Sequence, residues 1–158
     1  MSDEVSVERV VASPPEPIFD LLADPDRHSE IDGSGLVKAA KEGSQRLGLG
    51  SRFGMSMKMG VPYSMVSEVV EFEEGRRIAW QTRGAGRLGR HAGGRVWRYE
   101  LEPTEGGTRV RETWDISEEA WFTKPLVKLT ASRQTRGNME KTLERIEQIV
   151  TEGGSAGS

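Results

Sequence analysis

The apolar positions change period twice along the chain. Val5, Val7, Val10 and Val11, set among short polar neighbours, predict a first strand whose register Glu8 and Arg9 leave open. SPPEPIFDLLAD then switches to helical spacing: Ser13 is suited to cap a helix whose first turn tolerates Pro14 and Pro15, with Ile18, Phe19, Leu21 and Leu22 as its buried stripe. Asp24 and Pro25 restart the chain as a second short helix, DPDRHSEIDG, which Gly33 should end. From Leu36 to Ile116 the pattern alternates, predicting strands at about 36–41, 51–59, 62–73, 76–83, 94–103 and 107–117. Glycines at Gly48/Gly50, Gly60, Gly75 and Gly106/Gly107 punctuate them as in an antiparallel meander. Beyond Trp121 and Pro125 the helical period returns, and Met139, Leu143, Ile146 and Val150 mark one long amphipathic helix.

One strand, two short helices, six strands and a long C-terminal helix make an α+β plan, a curved antiparallel sheet of about seven strands wrapped around that helix. At 158 residues this is expected to be one domain over 1–151, with GGSAGS giving 152–158 the composition of a disordered tail. A net charge of −3 shows no global basic excess, so nucleic acid is not an expected partner. The absence of cysteine removes disulfides, thiolate metal sites and cysteine nucleophiles. The acidic start MSDEVSVERVV lacks signal-peptide character, and no apolar run is long enough to span a bilayer, so a cytoplasmic protein without integral membrane contact is expected.

Three stretches carry a resemblance: SPPEPIFDLLADPDRHSEIDGSG at 13–35, VVEFEEGRRIAWQT at 69–82, and WRYELEPTEGGTRVRETWD at 97–115. With the C-terminal helix, the chain from about 4 to 151 resembles the START-like, Bet v 1-like superfamily (SRPBCC), in particular its bacterial polyketide cyclase/dehydrase and lipid-transport branch. The resemblance implies a helix-grip fold with a cavity between sheet and C-terminal helix. It implies no shared catalytic motif.

Strand alternation indicates which side chains would line such a cavity. Phe53, Met55, Met57 and Met59 share one face of their strand, as do Trp97, Tyr99 and Leu101, and Val110, Trp114 and Ile116; Trp80, Tyr63 and Met65 extend the set. Methionine and aromatic residues suit an adaptable apolar site, although the same residues could simply pack against the helix. A Met-ligated Cu(I) site is disfavoured by the lack of cysteine and by only two histidines, and neither metal nor cofactor is implied.

Three polar features stand out. Glu112 falls on the inward face between Val110 and Trp114, where a carboxylate needs a partner, water or a raised pKa, and it becomes a candidate general base or ligand anchor. His28 and Asp32, four apart in a helical stretch, form a candidate proton-handling pair at the cavity rim. RGAGRLGRHAGGR, residues 83–95, gathers Arg83, Arg87, Arg90, His91 and Arg95; Arg87 and Arg90 are candidates to attract an anionic ligand head at the cavity mouth.

Two functions fit: a carrier or sequestering protein for a lipid-, polyketide- or isoprenoid-like molecule, as monomer or homodimer, or a cofactor-free aromatase/cyclase or dehydratase using Glu112, His28 or Asp32 with Tyr63 or Tyr99 as hydrogen-bond donor. Met57→Trp separates an open cavity from a filled core. In a cavity the indole occupies ligand space, so a neutral hydrophobic fluorophore no longer binds while the melting temperature holds or rises. In a filled core, overpacking costs about 1–3 kcal/mol and the melting temperature falls, with no fluorophore binding by the parent.

Overall fold

The computed structural model describes residues 3–32, 37–41, 46–59, 61–84, 91 and 93–156, with side chains described for these except at 37–41, 55–59, 61–64, 126, 129–133 and 153–156. Strand β1 (Glu4–Val11) leads into α1 (Pro15–Leu22), a 3₁₀ turn (Pro25–Arg27) and α2 (His28–Ile31). Six further strands follow: β2 (Val37–Lys41), β3 (Arg52–Met59), β4 (Val61–Glu73), β5 (Arg77–Gly84), β6 (Gly93–Thr104) and β7 (Gly107–Asp115). The chain then runs into α3 (Lys124–Ala156). Among the described residues the strands form one antiparallel sheet in the order β1-β7-β6-β5-β4-β3-β2. The meander is thus consecutive from β2 to β7, and α1 and α2 carry the chain from one sheet edge to the other.

Local physics explains most of the boundaries. Proline at the first turn of α1 gives up an amide that has no helical partner anyway, while Ile18, Phe19, Leu21 and Leu22 are all buried. Ser13 does not cap this helix as its position suggested. Pro14 is the capping residue, no side chain bonds the first amides, and the Ser13 hydroxyl instead donates to the Pro14 carbonyl at 3.0 Å. Asp24 does cap, its carboxylate accepting from the Asp26 amide at 3.1 Å to open the 3₁₀ turn. Helix α2 ends at Ile31 with an extended Asp32 behind it, and Gly33, expected to stop it, lies outside the described residues.

Strand β4 contains a bulge between Val69 and Glu71. Ser67 and Val69 are buried on the inner side; Val70 is the extra residue and is exposed, and Phe72 returns to the core. The alternation that the sequence leaves uncertain in this strand is therefore broken at one residue. On the convex face the polar set forms cross-strand ion pairs, with Arg98 bidentate to Glu71 and Arg77 reaching Glu100 at 3.1 Å.

Helix α3 crosses the concave face, burying Met139, Leu143 and Ile146 against β1 and β7. It also guards the sheet edge: Arg136 donates to the Ser6 carbonyl of β1 at 3.3 Å, and Arg9 bonds Glu147 at 2.8 Å. The helix continues through Gly153 and Gly154 to Ala156, beyond the end expected at 151. Propagating an existing helix requires no new nucleus, which lets it run into glycines of poor propensity.

The turn from β1 into α1 passes over Gly107, which has φ +135°. A Cβ there would overlap the Val11 carbonyl oxygen and stand 2.9 Å from the Ser13 amide. Gly107→Ala is therefore expected to lower stability by at least about 2 kcal/mol, through strain and backbone overlap together. Gly48→Ala, where nothing lies within 4 Å, should stay within about 0.5 kcal/mol of the parent. Urea unfolding of the pair checks this, and equal effects would contradict it.

Candidate functional site: a carboxyl in an aromatic face

The inward residues of β3, β5, β6 and β7 form a continuous aromatic surface beneath α2 and α3. Antiparallel register sets Trp80 beside Trp97, Trp97 beside Trp114, and Tyr99 beside Glu112. The Trp80 and Tyr99 rings are 5.5 Å apart, and those of Trp97 and Trp114 are 6.3 Å apart. Phe53 meets Trp80 edge-on at 5.6 Å. The register also pairs Met55 with Met65 and Met57 with Tyr63. Met65 is half-buried, whereas the side chains of Met55, Met57, Met59 and Tyr63 lie outside the described set.

His28 is not at a rim. It is only 4% exposed, stacks on Trp80 at 4.9 Å and meets the edge of Phe53 at 5.3 Å. Its Nε2 lies 2.8 Å from the Leu22 carbonyl oxygen. A carbonyl only accepts, so Nε2 carries the proton, and burial lowers the pKa of the ring below 6.5 despite opposition from that carbonyl and from Asp24 and Asp32. The neutral imidazole is thus a fixed part of the aromatic wall, with Nδ1 left as an acceptor. The sequence held a signal for this, since Ile31, one turn on, is buried on the same side of α2.

Glu112 is where alternation placed it, inward on β7 and 2% exposed. Oε1 has no hydrogen-bond partner among the described residues, and the Tyr99 phenol across the β6–β7 pair is close enough to bear on the titration of the carboxyl. Burial drives the Glu112 pKa well above 4.5; the Tyr99 phenol opposes this and the nearby Asp32 charge adds to it. Burial likewise raises the Tyr99 phenol, with Glu112 and Asp32 contributing. Asp32, just past α2, thus bears on Glu112 of β7, on Tyr99 of β6 and on His28 of α2, although the three come from separate elements.

Other candidates are placed elsewhere or not at all. Arg87 and Arg90 lie outside the described residues. Arg95, grouped with them by sequence, is a structural ion-pair partner of Glu119, at 3.2 Å, whose side chain is fully buried and also accepts from the Thr123 hydroxyl at 2.6 Å. Sequence reading missed Glu119, because nothing local distinguishes it from its exposed neighbour Glu118. A cleft of about 570 Å³ between β1 and α3 is charged in character, lined by Glu8, Arg9, Arg111, Arg136, Glu140 and Glu144 over Val7 and Leu143. Its arginines are already engaged with Glu147, Glu8 and the Ser6 carbonyl. Among the described residues no group of three His, Asp or Glu side chains is arranged to hold a metal, and no helix is long and apolar enough to cross a membrane.

The two buried titratable groups act oppositely on stability. Glu112 stays protonated in the fold above 4.5 while the unfolded chain ionises, so stability falls as pH rises from 4.5 until Glu112 itself ionises. His28 stays neutral in the fold below 6.5 while the unfolded chain protonates, so stability falls as pH drops below 6.5. Together they favour a maximum between about 4.5 and 6.5 and a decline toward alkaline pH of up to about 1.4 kcal/mol per unit. Glu112→Gln should gain on the parent steadily above pH 4.5 and match it below. A parent whose urea midpoint is flat or rises from pH 6.5 to 8 would contradict this assignment.

Comparison with known proteins finds a family and a fold for this chain. A family model described as polyketide cyclase / dehydrase and lipid transport matches residues 2–151. The uncharacterized protein Rv0088 of Mycobacterium tuberculosis is 38% identical over 109 residues, covering 66% of this chain and 44% of its own length. The chain thus corresponds to less than half of the curated relatives it matches. Among solved structures, protein Ms6760 of Mycobacterium smegmatis aligns with a TM-score of 0.69 at 17% identity over 96% of this chain and 93% of its own. The AHSA1-like protein of Aeromonas hydrophila aligns at 0.67 with 17% identity, over 96% and 94%. DynU16, from the dynemicin biosynthetic locus, aligns at 0.66 with 14% identity, over 97% of this chain and 49% of its own. At these identities the structural likeness speaks for the fold alone.

Proposed function

The chain belongs to the polyketide cyclase / dehydrase and lipid transport family, and on that premise we propose that it binds a small hydrophobic or amphipathic molecule between sheet and α3, as a carrier or sequestering protein of the cytoplasm. The observation that carries this reading is Glu112, a fully buried carboxyl with one oxygen unpartnered among the described residues, set in a face of Tyr99, Trp97, Trp114 and Trp80. A filled core gains nothing from an acid at that position, because an unsatisfied buried polar atom costs about 1–3 kcal/mol. A ligand whose polar end reaches Oε1 satisfies it, while the rings take up the apolar part. Phe53, Met55, Met57, Met59, Tyr63 and Met65 extend the proposed lining along β3 and β4, and Arg87 and Arg90 would stand at its mouth.

The same residues support a second reading, a cofactor-free cyclase or dehydratase. An acid whose pKa burial raises well above the ordinary carboxylate range, beside a phenol, suits proton transfer to and from an enolising carbonyl, with Glu112 as acid/base, Tyr99 as hydrogen-bond donor and Asp32 and His28 tuning the charge. Among the described residues no side chain bonds the unpartnered oxygen, and that shortage of proton-transfer partners favours the carrier.

Tryptophan emission tests the binding reading. Trp121 is 84% exposed and contributes only background, so Trp121→Phe leaves Trp80, Trp97 and Trp114 as reporters. Saturable binding of Nile red, with a shift or quench of that emission and competition by small aromatic or isoprenoid alcohols, is the expected result. Unchanged emission across such a panel would remove the proposal.

A further inference from the structure

The inward face carries a second polar feature, away from Glu112. Ser67 of β4 and Thr82 of β5 stand opposite each other in the sheet, both buried, with their hydroxyl oxygens 2.8 Å apart. Two hydroxyls carry two hydrogens, and the bond between them uses one. The other hydrogen has no acceptor among the described residues. Phe53 and Arg95, which flank the pair in the same row of the sheet, have no acceptor in their side chains. Ser6 and Thr113 make a similar pair at 2.9 Å on the convex face, but Ser6 is half-buried, so water can take its spare hydrogen. Register fixes where the inner pair stands relative to Glu112. Tyr99 is opposite Glu112 and Ile78 opposite Tyr99, so Glu112 is level with Ile78, four residues before Thr82. Thr82 and Glu112 are therefore about 13 Å apart along the strands and about 10 Å apart across them, a diagonal of about 16 Å between backbone positions. Trp97, opposite Trp80, occupies the middle of that diagonal. Unlike Trp80 and Trp114 it is only half-buried, although it faces inward.

We propose that the Ser67–Thr82 pair is a hydrogen-bond-donating subsite, and that the interior takes an elongated, uncharged aromatic molecule with a carbonyl oxygen at one end and a hydroxyl at the other. The inference rests on the binding reading above and extends it from one polar end to two. The carbonyl accepts the spare hydrogen of the pair, which either residue can present because the two hydroxyls can exchange donor and acceptor roles. The ligand hydroxyl reaches Glu112 Oε1; since it both donates and accepts, it suits that oxygen whichever protonation state the carboxyl holds. Between the two ends, the ligand's rings lie against Trp97. Allowing for a hydrogen bond at each end, the ligand's own oxygens stand roughly 10–12 Å apart, the span of two linked six-membered rings with their substituents.

Three biphenyls supply the test: 4-acetyl-4′-hydroxybiphenyl, 4-ethyl-4′-hydroxybiphenyl, which lacks the carbonyl, and 4-acetylbiphenyl, which lacks the hydroxyl, each competing with Nile red at pH 7 on the full chain. The hydroxy-ketone is expected to bind about five- to ten-fold more tightly than either of the others. An apolar interior without a donor would favour the ethyl compound instead, because the ketone leaves hydrogen bonds with water behind. In the double variant Ser67→Ala/Thr82→Val, which removes both hydroxyls with little change of shape, the ketone's advantage over the ethyl compound should vanish while the hydroxyl's advantage over 4-acetylbiphenyl persists. Thr82→Ser, which keeps a hydroxyl, should retain both; circular dichroism confirms that the variants are folded. A parent that binds the ethyl compound as tightly as the hydroxy-ketone, or a ketone advantage that survives in the double variant, overturns the subsite and leaves interior binding standing. A hydroxyl that gives no advantage over 4-acetylbiphenyl overturns the two-ended ligand. Failure of Nile red and all three biphenyls to bind overturns the binding reading, and the inference with it.

Discussion

A sheet with one apolar face must be covered along that face, and in this molecule a single helix does most of the covering. Everything else follows from how α3 meets the concave side. Met139, Leu143 and Ile146 press on β1 and β7, Arg136 and Arg9 tie the helix to the outer strand, and Lys124 and Lys128 hold Asp3, whose carboxyl is lowered to about 2 by those two hydrogen bonds. At the far side α1 and α2 complete the lid, with Phe19, Leu22, His28 and Ile31 buried. The interior between these supports is apolar and aromatic, and it is the setting in which one acid becomes chemically distinctive.

Glu112 differs from the other acids through position alone. The convex-face acids sit in water beside arginines: Glu71 has Arg98 and Arg77, and its carboxyl is lowered accordingly. Such pairs contribute little to stability, typically about 0–1 kcal/mol each, and serve mainly to keep that face polar. Glu112, turned through the sheet by one residue of register, meets rings and a phenol, and burial raises its pKa well above 4.5. Retaining such a group against its stability cost is understandable if it handles a ligand or a proton, and the same trade recurs wherever a site is set into a core.

Much of this was legible beforehand. Period-two alternation located six strands from Leu36 to Ile116, and the stripe from Met139 to Ile146 located α3, because both reflect which side chains must leave water. Glu112 was visible as an acid among inward residues for the same reason. The bulge at Val70 was not legible, since a bulge is decided by the partner strand. His28 was expected at a rim beside Asp32; stacking on Trp80, 52 residues away, put it in the wall instead. Arg95 was expected in a basic loop, and the buried Glu119 claimed it.

By itself, then, the order of residues determined the elements, the face each strand turns inward, and the presence of an acid and aromatic rings on that face, all consequences of local backbone geometry and of the cost of leaving apolar surface in water. Tertiary structure alone decided which of those groups meet. That burial raises the Glu112 pKa, that Tyr99 and Asp32 bear on it, and that His28 stacks on Trp80 depend on which segments far apart in the chain come together. A carboxyl's protonation depends on its dielectric surroundings and neighbouring charges, and those exist only once α2, β6 and β7 are brought together.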